Sequence, residues 1–347
     1  IILISDAEEL GLLGAQAFVD KHPWSKDVGL VLNFEARGSG GPCLMFVETN
    51  EGNEKLIQAF IHVNASRPFS NSLFYSVYKL LPNDTDLTVF RKNANVQGYN
   101  FAFIDDHFDY HTAQDNYERL DRNTLQHQAS YLMPALAHFS MRDLNDLSAD
   151  SDLVFFNFPG AGLISYPFSW VLPMCIIGLL ALFLVVVWGL KKQVLSLKDM
   201  AIGFVPLLIA LSVIGLGSFY GWKLLLKIHP GYREIFHGFT YNGHLYIIGF
   251  VSLSLWFTVW LYQRYLKKRS AVNLFFAPLS AWSMINFAIA AYLPGAGFFI
   301  IPFLTGVVVF CLFILKPIDS AKKVIVSTVL TLPALLIVVP LIELFPI

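Results

Sequence analysis

Ile1-Ile2-Leu3-Ile4-Ser5-Asp6-Ala7-Glu8-Glu9-Leu10-Gly11-Leu12-Leu13-Gly14 opens the chain and decides how the rest is read. Four aliphatic residues in succession match a strand buried on both faces, which shows a continuous apolar run and no alternation. Ser5-Asp6-Ala7 ends the run, two adjacent acids follow, and a Leu/Gly/Ala pattern then begins a helix. Open α/β sheets place their ligand crevices beyond the C-terminal ends of the strands, which is where Glu8 and Glu9 fall. Adjacent carboxylates repel each other unless a cation lies between or beside them, and a metal ion meets that need. A plainer reading stays open, because acids also favour the first turn of a solvated helix, at the positive end of its dipole.

Working outward, the two halves of the 347-residue chain differ in charge. Residues 1–160 hold 11 Lys and Arg against 21 Asp and Glu, and the remainder holds 13 against 4. An acidic polar half joined to a basic, very apolar half describes a soluble domain attached to a membrane domain. Ile1 lies inside the expected strand and is not an initiator Met, so the chain is read as a segment lacking its true N-terminus. Cys43, Cys175 and Cys311 offer no disulfide framework, since the last two fall in apolar spans.

Residues 1–150 alternate strand-like and helix-like segments, the pattern of an α/β domain with a mostly parallel central sheet flanked by helices. Strands are expected at residues 1–5, 28–34, 43–47 and 101–104, and helices at 10–21, 54–62, 72–80 and 123–139. The Gly38-Ser39-Gly40-Gly41-Pro42 cluster marks a tight connection and lacks the spacing of a phosphate-binding loop. Residues 151–163 read as a linker.

Residues 164–347 read as an all-α polytopic membrane domain of about six helices. Apolar spans of roughly 20 residues, enough to cross a bilayer, are placed near 164–190, 201–225, 245–265, 274–293, 298–315 and 324–344. Lys191, Lys192 and Lys198, then Arg264, Lys267, Lys268 and Arg269, then Lys316, Lys322 and Lys323 occupy alternate loops. By the positive-inside rule these loops are cytoplasmic. The acidic domain then faces away from the cytoplasm, in a periplasm or a lumen. The spans carry almost no ionisable residues: Asn286 is the most polar side chain near a span centre, Lys223 and Glu343 sit near ends, and Pro206 and Pro302 fall where they could kink helices. Coupled transporters usually place acids or His inside the membrane, so transport is disfavoured.

Two further stretches join Glu8-Glu9. Asn33-Phe34-Glu35-Ala36-Arg37-Gly38 ends the second strand in an acid, and Asp109-Tyr110-His111-Thr112 follows the last strand. Parallel strands end on one side of a sheet, so Glu9, Glu35 and His111 can meet in one crevice as metal donors while Glu8 serves as a base. Zinc takes such carboxylate and imidazole ligands.

DAEELGLLGAQAF, LNFEARG and YHTAQDNYERLD, in this order and spacing, resemble the zinc-peptidase family of bacterial leucyl aminopeptidase and glutamate carboxypeptidase. The attached spans resemble its membrane-bound branch, which includes the endoplasmic reticulum metallopeptidase and the vacuolar membrane protease. The resemblance covers about the first 140 residues, and the membrane half by architecture alone. It implies that Glu8 is the general base, that Glu9, Glu35 and His111 are zinc ligands, and that Tyr110 helps stabilise the tetrahedral intermediate. Most members carry Asp where this chain has Glu35. It implies two zinc ions about 3.5–4 Å apart sharing a water or hydroxide, with Glu8 moving its proton to the leaving amine. The family also uses an upstream His and a bridging Asp, both expected before Ile1, so the segment alone is expected to be inactive.

The expected activity is that of an extracytoplasmic zinc exopeptidase, an aminopeptidase, with a peptide as substrate, the lipid bilayer as anchor and no nucleic acid partner. Two alternatives stay open: a glutaminyl cyclase-like enzyme with one zinc, and a non-catalytic membrane scaffold on a peptidase fold. His62, His107, His127 and His138 are read as structural. Asp106 is read as lying near His111. Asp84, Asp86 and Phe90 lie in a stretch resembling the family's substrate-facing segment, and Arg37 is left between a substrate carboxylate and an ion pair. Asn64-Ala65-Ser66 and Asn83-Asp84-Thr85 match glycosylation sequons.

Overall fold

The computed structural model describes residues 1–80, 84–158, 160–235, 238–315 and 320–343. Asn83, Lys316 and Leu344, each part of an expectation above, lie outside the described residues. The chain forms two compact units, the first comprising Ile1–Val171 with Leu293–Phe298, the second Leu172–Tyr292 with the segment from Phe299 onward.

The first unit runs α1 (Leu13–Lys21), β1 (Val31–Ala36), β2 (Gly40–Glu48), α2 (Glu54–Val63), α3 (Ser72–Tyr78), α4 (Asp86–Ala94), β3 (Gly98–Asp105), α5 (Arg122–Phe139), β4 (Leu153–Phe158) and β5 (Gly162–Pro167). Strand order in the three-stranded sheet is β1-β3-β2. β1 runs parallel to β3, whereas β2 is antiparallel to it, so the sheet is mixed where a mostly parallel one was expected. Chain length explains the difference. A parallel return needs a crossover of about a dozen residues or more, and only Arg37 to Ser39 separate β1 from β2. One extra residue of β2 is accommodated between Gly40 and Cys43, where the register with β3 shifts.

Alternation along the strands sorts the sheet into two faces. Leu32 and Phe34 of β1, Tyr99 and Phe101 of β3, and Cys43, Met45 and Val47 of β2 face a core with α2 and α5. Phe60, Tyr99, Phe101 and Tyr131 pack there with ring centroids 5.1–6.2 Å apart. On the other face, Val31 packs under Ala15 and Phe18 of α1 and Leu87, Val89 and Phe90 of α4. Asn33 and Glu35 share the Val31 face. The candidate site residues of β1 therefore lie on the side covered by α1 and α4.

Residues 1–5 are not a strand. None of residues 1–7 pairs with a strand among the described residues, and Ile2 and Ile4 are 94% and 92% exposed. Aliphatic composition confers strand propensity, but a strand also needs a neighbouring edge to take its hydrogen bonds. Residues 153–158 and 162–167, in and beyond the expected linker, form an antiparallel hairpin. LVFFNF and GLISYP, parted by a Gly-rich turn, are β-branched and aromatic runs of hairpin type. The first long apolar helix accordingly begins at Phe168.

The second unit contains α6 (Val171–Lys191), α7 (Leu197–Ile202), α8 (Phe204–Ile228), α9 (Gly243–Leu266), α10 (Ala271–Tyr292), α11 (Ile300–Leu315) and α12 (Ser320–Glu343). Five helical spans among the described residues are long and apolar enough to cross a membrane. In α12, read as a sixth, Ile325–Ile337 is an apolar helical stretch among the described residues. Leu245, Ile248, Leu253 and Trp256 of α9 are all more than 60% exposed, as lipid-facing side chains are when no water need be avoided. Pro206 and Pro302 stand in the first turns of α8 and α11, where a missing N–H costs no helical hydrogen bond, so they start helices and do not kink them. Asn286 is buried in α10 and donates to its own helix at Trp282 O, 2.9 Å away. Two of the basic loops meet: Arg269 pairs with Asp199 at 3.3 Å, and Asn273 accepts from the Ser196 N–H at 2.8 Å.

Candidate active site

Glu8 and Glu9 lie in a tight turn ahead of α1, and α1 has no acid in its first turn. The N–H groups of Gly11 and Leu12 both bond to Glu8 O, at 3.0 and 2.8 Å, and those of Leu13 and Gly14 reach back to Ala7 O and Asp6 O. Gly11 takes φ +110°, which needs glycine, and a Cβ on Gly14 would stand 2.5 Å from Asp6 O. The EE-x-G-x-x-G spacing thus builds this turn. The helix-start reading of the two acids does not hold.

Glu35 closes β1 opposite Ala102 of β3. Its backbone carbonyl accepts from Gln128 Nε2 of α5 at 2.9 Å, which also bonds Phe101 O and so ties the two strand ends together. The Glu35 carboxyl is pushed up to about 8, first by burial and then by the charges of Glu8, Glu48 and Asp86, with only the Asn33 amide opposing. Glu8 is also raised, by burial and then by Glu9 and Asp86, while His111 pulls it down.

Tyr110 and His111 stand on the loop after β3. Asp109, fully buried, anchors this loop by accepting from Ser39 Oγ at 2.6 Å and from Arg119 Nε at 2.8 Å. His111 sits in the left-handed region at φ 57°, as do Ala7 at 58° and Leu12 at 60° in the opposite turn. Non-glycine residues there cost about 1–2 kcal/mol each and gather at functional sites. The Tyr110 and His111 rings stack with centroids 3.7 Å apart. His111 Nε2 meets Glu9 Oε2 at 2.7 Å, although the two lie at opposite ends of the domain sequence. Arg37 faces the Tyr110 ring at 5.9 Å. Burial, then the charge of Glu9, holds the Tyr110 hydroxyl above its ordinary range.

Five expected site residues, Glu8, Glu9, Glu35, Tyr110 and His111, therefore influence one another across three stretches. Glu9 meets His111, and among the described residues no three His, Cys, Asp or Glu side chains group as a metal site. The donor set nevertheless suits a divalent cation: the carboxylates of Glu9 and Glu35 and the imidazole of His111, with Glu35 raised first by burial and then by its acidic neighbours.

Asp86, whose role the sequence left open, begins α4, accepts from the Ser5 hydroxyl and acts electrostatically on both Glu8 and Glu35. The usable signal was Thr85-Asp86-Leu87-Thr88, whose two threonines form a capping box that fixes the start of α4. Asp84 pairs with Lys92 at 3.0 Å on the surface, and Phe90 belongs to the core. His127 takes Cys43 N–H on Nδ1 and faces Arg67 O through Nε2, a structural role.

The sequence model of peptidase family M28 matches residues 1–136. Residues 1–136 thus carry the pattern of a peptidase M28 domain. The chain is 32% identical over 174 residues to human endoplasmic reticulum metallopeptidase 1, a match covering 48% of this chain and 19% of that protein. It is 34% identical over 162 residues to the vacuolar membrane protease of Candida dubliniensis, covering 46% of this chain and 17% of that protein. The chain thus spans about a fifth of the length of these M28 relatives. No solved structure matches it.

Proposed function

We propose that this M28 segment works in a membrane-anchored, zinc-dependent exopeptidase, an aminopeptidase that hydrolyses peptides outside the cytoplasm. The observation that carries the reading is the meeting of Glu9 with His111 at 2.7 Å, beside Glu8, Glu35 and Tyr110. Glu9, Glu35 and His111 would hold zinc, two ions in the complete enzyme. When bound, zinc polarises a scissile carbonyl and makes water a better nucleophile near neutral pH.

The chain's own groups would do the rest. Glu8 takes a proton from the attacking water and delivers it to the leaving amine, and its raised carboxyl brings it closer to the working pH of such a base. Tyr110 stays protonated at neutral pH and donates its O–H to the oxygen on which negative charge develops. The extracytoplasmic placement is supported by the basic loops that meet through Arg269 and Asp199. The segment Leu293–Phe298, on an opposite loop, belongs to the first unit, where Ser72 Oγ donates to Gly295 O at 2.5 Å.

Membrane preparations of the complete enzyme that contains this segment should release amino acids from peptides with free N-termini, lose this activity on chelation and regain it with zinc. Equal cleavage of N-acetylated peptides would exclude an aminopeptidase, and activity that persists after exhaustive chelation would exclude the zinc reading.

A further inference from the structure

A line of polar side chains crosses the sheet from a buried anion to Glu35. Glu48, 5% exposed at the end of β2, accepts from Asn100 Nδ2 at 2.6 Å, Tyr78 OH at 2.9 Å, and Thr88 Oγ1 and Arg91 Nε at 3.1 Å. Asn100, 1% exposed on β3, is the register partner of Asn33 on β1. Asn33 Nδ2 donates to Asn100 Oδ1 at 2.8 Å and to Glu35 Oε1 at 2.9 Å.

Hydrogen-bond polarity along this line follows from its anchored end. A carboxylate only accepts, so Glu48 obliges Asn100 to present its NH₂. The Asn100 carbonyl oxygen is then turned to Asn33, which must present its own NH₂ in turn. That group has two hydrogens, and both are used, one on Asn100 and one on Glu35. Were Asn33 flipped, its carbonyl oxygen would face the Asn100 oxygen and, once Glu35 is ionised as a ligand must be, the Glu35 carboxylate.

We propose that Asn33 is a positioning residue for the candidate zinc ligand Glu35, its donor orientation imposed by Glu48 through Asn100. The bond from Asn33 engages Oε1, so Oε2 is the oxygen left to face a metal. The inference rests on Glu35 being a ligand, as the proposed function has it. Groups that orient a metal ligand in this way typically cost about 10–100-fold in metal affinity when removed.

The test measures zinc affinity of the purified full chain in detergent, by competition with a chromophoric chelator. Asn33→Leu, close in volume and without a donor, should weaken zinc binding about 10–100-fold. Glu48→Ala should weaken it less, and the Asn33→Leu/Glu48→Ala double variant should bind no worse than Asn33→Leu alone, because both act along one line. Should Asn33→Leu fail to fold, Asn33→Ala carries the measurement with a smaller side chain. Glu35→Gln sets the reference. If Glu35→Gln weakens zinc and the folded Asn33 variant binds like wild type, or the two single effects add, the positioning role is overturned. If Glu35→Gln itself leaves affinity unchanged, the ligand assignment fails, and this inference with it.

Discussion

Raising the pH of the metal-free protein should loosen β1 from β3, and Glu35→Gln should remove most of that dependence. In the folded chain Glu35 keeps its proton up to about 8, whereas the ordinary carboxyl releases it near 4.5. Across that interval the folded state binds more protons than the unfolded one, so stability falls as pH rises. Between about pH 5.5 and pH 8, at 1.36 kcal/mol per pH unit, the ceiling is about 3 kcal/mol. Glu35 retains some solvent access, which screens its acidic neighbours, so about half of that is the expected loss. Hydrogen exchange of the chelated protein in detergent measures it, through peptides covering β1 and β3 corrected for the hydroxide dependence of intrinsic exchange. Saturating zinc should reverse the slope, because a metal binds the ionised carboxylate and is favoured as protons leave. Equal loss of protection in wild type and Glu35→Gln, or a flat wild-type profile, would refute the account of Glu35.

In the complete enzyme, Glu8→Gln should lower kcat by about 10²–10⁴-fold with zinc content unchanged, whereas Glu9→Gln should lose zinc along with activity; paired zinc and turnover assays separate a base from a ligand. Gly14→Ala places a Cβ 2.5 Å from Asp6 O, so the turn must shift, at a cost of about 1–3 kcal/mol, read as a lower melting temperature and weaker zinc retention. Cysteine-accessibility mapping in intact membranes should find positions near 195 and 267 on the cytoplasmic side and position 100 on the other; the reverse pattern would sink the extracytoplasmic assignment.

What could be read from the sequence depended on whether the physics was local. Glycines at fixed offsets after Glu8-Glu9 build a turn from adjacent residues, so its position was legible. The sheet was not, because pairing depends on distant neighbours. IILI has the composition of a strand, yet no described strand lies beside it. LVFFNF and the first two residues of GLISYP fall in the expected linker and the rest of GLISYP in the first expected span, although the two runs pair with each other. The antiparallel direction of β2 follows from the three residues that separate it from β1, whereas the expected strand bounds leave eight. Asp86 was undervalued because its approach to Glu8 and Glu35 comes from the packing of α4 on the sheet, which no motif announces. Glu9 and His111 are brought together in the sequence by their expected places at strand ends and then by a resemblance, and their 2.7 Å contact is a tertiary fact.

The register shift between Gly40 and Cys43 has a consequence for which length changes this domain tolerates. Downstream of it, even-numbered Leu44, Phe46 and Glu48 share the side of Asn33 and Asn100, and odd-numbered Cys43, Met45 and Val47 fill the aromatic core. The offset acts as a parity setting for β2. Deleting one residue between Ala36 and Cys43 leaves two outcomes: the short connection stretches, or the strand slips by one and drives Glu48 among Phe60, Tyr99 and Phe101. Removing residues in pairs preserves the alternation and avoids that choice. Any grafting or redesign of this connection should therefore count in twos.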